Sequence, residues 1–177
     1  IQVDFELHDV FGERQVTKFM YKPVPMQGIR DIGHAISDQI FEKLTGIRGN
    51  FQTKLLYVTV ERRSEKDQFF QLMMCDSDGG RAQEVFRNTD PILSPKWSPV
   101  DSSRFAFMSY DGKQAVIYVQ SLLTGDRKKI AAFPGLNSSP AWSPDGRSLA
   151  LTLSKDGNPE IYIANLRTGE IERMTKH

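Results

Sequence analysis

One cysteine, Cys75, is all that the 177 residues contain. No internal disulfide can form from it, and a cysteine-ligated metal cluster is excluded. Histidine is scarce too: His8, His34 and His177 are scattered, and none has the i+4 partner of a helical zinc site. No apolar run approaches the roughly 20 residues of a membrane-spanning helix. Neither sign of charge dominates, with 23 basic against 22 acidic residues and a net charge of +1. That leaves no basic stripe, so nucleic acid is not an expected partner. A G-x-S-x-G elbow and a phosphate loop are both missing. No catalytic constellation and no cofactor or metal site is expected, and the chain reads as non-enzymatic. No signal-peptide pattern opens the sequence. Ile1 already sits in an alternating pattern, so the chain is expected to begin inside a longer one.

Residues 1–50 have one texture. "IQVDFELHDV" alternates Ile1, Val3, Phe5 and Leu7 with polar neighbours, the period of a half-buried strand. "FGERQ" turns the chain, and "QVTKFMYKPV" returns it with Val16, Phe19 and Tyr21 until Pro23 and Pro25 stop the strand. The period then changes. Ile29, Ile32, Gly33, Ile36, Ile40 and Leu44 recur at helical steps. Gly46 suits the helix C-terminus because it takes positive φ without a Cβ clash. "GIRGNFQ" reads as a linker. Strand–strand–helix is too little to stand alone, so partner strands are expected upstream.

Residues 51–177 show no helical period. Short β runs recur instead. "RFAFMS" (104–109) matches "SLALTL" (148–153), and "VIYVQSLLTG" (116–125) matches "EIYIANLRTG" (160–169), each at a step of 44. A weaker copy lies in "KLLYVTV" (54–60) and "FQLMMCDSDGG" (70–80). A repeat of this length built from short strands predicts β-propeller blades. The last blade is expected near 138–142, 148–154, 160–165 and 170–174. The one before it is expected near 93–97, 104–109, 115–120 and 127–131. The first lacks its inner strand, which a chain end beyond His177 is expected to supply. The fold class is thus mainly β: a partial propeller of about three blades over 51–177, preceded by the α/β part over 1–50.

Both tryptophans sit in one repeated phrase, "SPKWSPV" (94–100) and "SPAWSPDG" (139–146). Each of its residues has a structural use. Pro95 and Pro140 suit a strand start, Trp97 and Trp142 offer wide apolar surfaces between blades, and Asp145-Gly146 makes a turn. "VDSS" after Trp97 predicts a longer, less regular turn. The phrase is therefore read as scaffold. "DSDGG" (76–80) resembles the start of a calcium loop, but Arg87 stands where the closing acid belongs, so a hairpin turn is expected. His34 is read as a packing or surface residue rather than a ligand, and Cys75 as packed rather than reactive.

"GHAISDQIFEKLTGIRGNFQTKLLYV" (33–58) and "SPAWSPDGRSLALTLSKDGNPEIYIANLRTGEIERMT" together resemble the TolB family, periplasmic components of the Tol–Pal system in Gram-negative bacteria. The first phrase looks like the family's junction between its α/β domain and its propeller. The second is shared by many propellers of the WD40-like PD40 class. The resemblance implies a six-bladed propeller, of which about half is present, and a non-enzymatic protein in the periplasm. It implies binding of the lipoprotein Pal through the propeller, in support of outer-membrane integrity and envelope constriction. It also implies contact with TolA through an N-terminal extension that lies outside this sequence.

In a propeller, loops from the outer strand of one blade to the inner strand of the next line one mouth of the channel. Here these are "NTDPILS" (88–94) and "FPGLNSS" (133–139). The resemblance puts the partner surface on that side, so Asp90, Pro91, Ile92, Leu136, Asn137, Ser138 and Ser139 are the expected protein-binding residues. The alternative is the propeller of a prolyl-oligopeptidase-type serine peptidase, whose catalytic domain would lie downstream.

Overall fold

A computed structural model describes residues 1–64 and 67–177. It divides into two compact units, residues 1–55 with 75–82, and residues 56–74 with 83–177.

In the first unit, β1 (Val3–Asp9) and β2 (Arg14–Tyr21) form an antiparallel pair. Val3, Phe5 and Leu7 are half-buried between exposed neighbours, as alternation requires. They face Tyr21, Phe19 and Thr17, while a register shift after Leu7 takes Val16 out of that row. Helix α1 (Ile29–Thr45) packs on β1. Its C-cap, Gly46, has φ 72° and donates its N–H to the Glu42 carbonyl at 2.8 Å. Only Ile32 of the apolar stripe is fully buried, and Leu44 is 71% exposed. A two-stranded sheet is too narrow to cover the whole stripe. The stretch expected as a linker is pinned: Asp38 accepts from the Phe51 N–H at 2.7 Å and from Gln52 Nε2 at 3.0 Å.

The second unit carries the blades. β3 (Lys54–Arg62), β4 (Gln68–Asp76) and β5 (Gln83–Asn88) form a three-stranded sheet. β6 (Ile92–Trp97), β7 (Arg104–Asp111), β8 (Gln114–Ser121) and β9 (Arg127–Ala131) form a four-stranded meander. β10 (Asn137–Trp142), β11 (Ser148–Leu153), β12 (Glu160–Asn165) and β13 (Ile171–Arg173) form another. Among the described residues, the two later sheets have four strands each and the first has three.

The middle blade is buried on both faces. Alternation sends Phe105, Phe107, Val116 and Tyr118 to one side, where Leu72, Ile92 and Phe86 meet them. Ala106, Ile117 and Val119 go to the other, against Leu149, Leu151, Leu153 and Tyr162. Small Ala106 sits on the side where four large side chains enter, so the layers interdigitate. Phe105 and Phe107 are completely buried, and burial of such a ring stabilises by roughly 1.5–3 kcal/mol. Phe107 stacks on Tyr118 at 5.5 Å, and Trp97 meets Phe105 edge-on at 5.8 Å.

Candidate functional site

The repeated phrase resolves into a strand irregularity. On β6 two residues, Ser94 and Pro95, stand between Leu93 and Lys96 where β7 has one. The same shift falls between Ser138 and Ala141 on β10. One extra residue in one strand of an antiparallel pair is a β-bulge. Ser94 and Ser139 hold it at φ 52° and 55°, a left-handed conformation that costs a non-glycine residue about 1–2 kcal/mol. Pro95 and Pro140 follow in the interrupted ladder, where a missing N–H loses little. Trp142 then reaches the neighbouring blade, its Nε1 donating to the Lys96 carbonyl at 3.0 Å. After the tryptophan the turns differ, as "VDSS" predicts. Ser98 N–H closes on the Arg104 carbonyl, six residues on, whereas Ser143 N–H closes on Ser148, five residues on. The phrase is scaffold.

The two interblade connectors lie side by side because β6 and β10 are neighbours. Leu136 is 39% exposed, Ser139 is exposed, and Asp90, Pro91 and Ser138 are half-buried. Two expected contact residues need correction. Ile92 opens β6 and points into the core with Leu72 and Phe105, at 1% exposure. Asn137 opens β10 and is fully buried. Its Oδ1 accepts from the Phe133 N–H at 3.0 Å, and its Nδ2 donates to the carbonyls of Phe133 (2.6 Å) and Gly135 (3.2 Å). It shapes its connector from inside rather than presenting itself outside. Alternation along β6 puts the next residue, Leu93, outward at 46% exposure. Extending the strand period into the connector would have found it.

A second cluster belongs to the first unit. Asp76 is 2% exposed, yet Arg81 Nε lies 2.7 Å from its carboxylate, Arg30 Nε 3.0 Å and Lys54 Nζ 3.1 Å. Those hydrogen bonds, that of Arg81 foremost, hold its carboxyl far below the usual carboxylate range. Asp78 accepts the Gly80 N–H, His34 Nε2 at 3.2 Å and Arg30, and its carboxyl is lowered to about 2. Arg81 also reaches Asp31. Gly80 leaves the space that the Arg30 guanidinium fills, where a Cβ would overlap it. His34, Asp76 and Asp78 offer ligand atoms within 4.8 Å of one another. Three cations already balance the carboxylates of Asp31, Asp76 and Asp78, so the group is a closed ion network rather than a metal centre. Composition gives no sign of it, because its members lie up to 50 residues apart in the chain.

Each histidine faces a carboxylate: His8 that of Glu6, His34 that of Asp78 and His177 that of Glu160. Cys75 is buried. Among the described residues no helix is long and apolar enough to cross a membrane.

Comparison with known proteins agrees with this architecture. A family model described as the TolB beta propeller domain matches residues 41–177. The Tol-Pal system protein TolB of Alcanivorax borkumensis is 45% identical over 88% of this chain and 35% of the relative. That of Ruthia magnifica is 37% identical over 98% of this chain and 41% of the relative. The chain thus spans about two fifths or less of the length of these curated relatives. The crystal structure of TolB from Acinetobacter baumannii superimposes with a TM-score of 0.91 at 39% identity, covering 99% of this chain and 43% of that one. Acylaminoacyl peptidase from Pyrococcus horikoshii superimposes with a TM-score of 0.56 at 16% identity, covering 72% of this chain and 24% of that one, a likeness of fold alone. The family match takes in every blade strand and runs back into α1, and on that ground the chain belongs to the TolB beta-propeller family.

Proposed function

We propose that this chain is a protein-binding scaffold of a Tol–Pal system, acting in the periplasm and doing no chemistry of its own. Its partner in this reading is the lipoprotein Pal, engaged at the mouth formed by the interblade connectors, in support of outer-membrane integrity and constriction. Contact with TolA belongs in this reading to an N-terminal extension and to none of the residues described.

The observation that carries the reading is the pairing of connectors. Leu93 and Leu136 stand outward on neighbouring connectors, with Asp90, Pro91, Ser138 and Ser139 around them. Apolar anchors inside a polar rim are the usual composition of a protein contact. The bulges at Ser94 and Ser139 fix an unusual backbone turn at each connector's end, and a segment already set in its bound shape pays less entropy on association. The family match supports the choice of partner.

Titration calorimetry against the cognate Pal tests it with Leu93→Asp and Leu136→Asp combined. Both positions are exposed, so the thermal midpoint should stay within a few degrees. Affinity should fall about thirtyfold, the loss of one well-placed anchor. Unchanged affinity moves the contact away from these connectors. Absence of binding by the wild type removes the function itself.

A further inference from the structure

The strands of a blade have two ends. The interblade connectors and the β7–β8 and β11–β12 turns lie at one, while the β6–β7, β8–β9, β10–β11 and β12–β13 turns lie at the other. At this second end a cavity of about 600 Å³ is lined by Arg104, Gly146, Arg147, Asn165, Leu166 and Arg167. Arg104 comes from the middle blade, and the other five come from the last. Among the described residues, no carboxylate oxygen lies within 4.0 Å of any of these three guanidinium groups. Arg104 lies over the Trp142 ring at 5.6 Å, which steadies its plane. A smaller cavity of about 260 Å³ shares Arg104 and Leu166 and adds Arg127 and Lys128 against one carboxylate, Asp126.

The repeat shows that the fold does not need these arginines. Ser98 N–H closes on Arg104 where Ser143 N–H closes on Ser148, so those two positions correspond. Leu122 N–H bonds the Ser103 carbonyl where Leu166 N–H bonds that of Arg147. The middle blade therefore carries Ser103 at the position of Arg147 and, by the step of 44, Leu123 at that of Arg167. Asp101 and Asp145 act on Arg104 and Arg147 only from beyond ion-pair distance, so the cavity is lined by three guanidinium groups and no carboxylate, a local excess that the repeat does not require.

We propose that this cavity binds a phosphate monoester group. Guanidinium forks match the oxygens of tetrahedral phosphate, and each such bond is charge-assisted. Two negative charges per phosphate suit three positive side chains better than one carboxylate does. This site is separate from the connector mouth, and its test does not depend on Pal binding.

Glycerol phosphate is the probe, titrated into the protein at low salt and followed by calorimetry and phosphorus NMR. The variant is Arg147→Ser with Arg167→Leu, the residues of the middle blade at the corresponding positions. The wild type should bind, and the variant should bind about tenfold more weakly at an unchanged thermal midpoint. Vesicles of phosphatidylcholine with and without phosphatidic acid form a second arm. Arginine-dependent sedimentation with the acid-containing vesicles alone identifies a lipid headgroup as the source, and binding of soluble glycerol phosphate identifies a free ligand. Equal affinity of wild type and variant overturns the proposal. So does binding of a glutamate-rich peptide with no response to either phosphate probe.

Discussion

The middle and last blades share a backbone and differ in polarity along one row. In the middle blade Ile92, Ser109 and Val116 lie opposite one another across three strands. In the last blade the same row is Asn137, Leu153 and Glu160. All six side chains are buried. Where the row is apolar it needs only packing. Where it is polar it brings its own partners, since an unpaired buried group is costly. Ser109 takes a bond from Asn88 Nδ2 at 2.9 Å. Asn137 ties its connector. Glu160 accepts from Arg173, from the His177 backbone and ring, and from the Thr175 hydroxyl. A repeat thus fixes where a side chain goes, and the neighbours that arrive there fix what it can be.

The largest effect is expected from exchanging the first residue of the row. Asn137→Ile gives the last blade the residue of the middle one, but strands the Phe133 N–H and two carbonyls. A loss of about 3 kcal/mol is expected from three abandoned hydrogen bonds. Urea unfolding measures it, and a loss under about 1 kcal/mol would mean that the connector does not depend on Asn137. The turn is the next place to press. Gly146 has φ 67°, and a Cβ there would overlap the Val100 side chain of the neighbouring blade. Gly146→Ala should cost about 2 kcal/mol, while Ser102→Ala, in the longer turn of the middle blade, should cost little. Equal effects would show that the two turns carry the same strain.

The smallest effect is confined to acid. The bonds to Glu160, that of the Thr175 hydroxyl first, lower its carboxyl from 4.5 to about 2. A depressed folded pKa contributes stability that is complete above the unfolded value and is lost as pH falls through the folded one. Stability should therefore drop between about pH 4.5 and about pH 2. Glu160→Gln should flatten that part of the profile in thermal melts across the range. Asp76 and Asp78 titrate in acid too and will leave a residual slope in the variant. An unaltered profile would assign the acid limb to the other carboxylates that the fold lowers, Asp31 and Asp101 among them.

Much of the fold is legible along the chain. The strands of the last two blades can be read because alternation and turn residues are local, and their repetition at one step removes the ambiguity of short apolar runs. Helix α1 and its glycine cap follow from a period and a single φ requirement. The connectors could be located in the same way, but their contact faces could not. Ile92 and Asn137 are the first residues of their strands, and a shift of one residue reverses the face a side chain takes.

The order of elements, the blade repeat and the scaffold role of the tryptophan phrase all rest on patterns within a few residues, and so they can be read along the chain. Tertiary structure alone decided which polar groups meet. Arg30, Lys54, Asp76 and Arg81 converge from separate segments, and Arg104 joins Arg147 and Arg167 only when two blades stack. Coulombic and hydrogen-bond terms depend on distances in space, and no period along the chain encodes them.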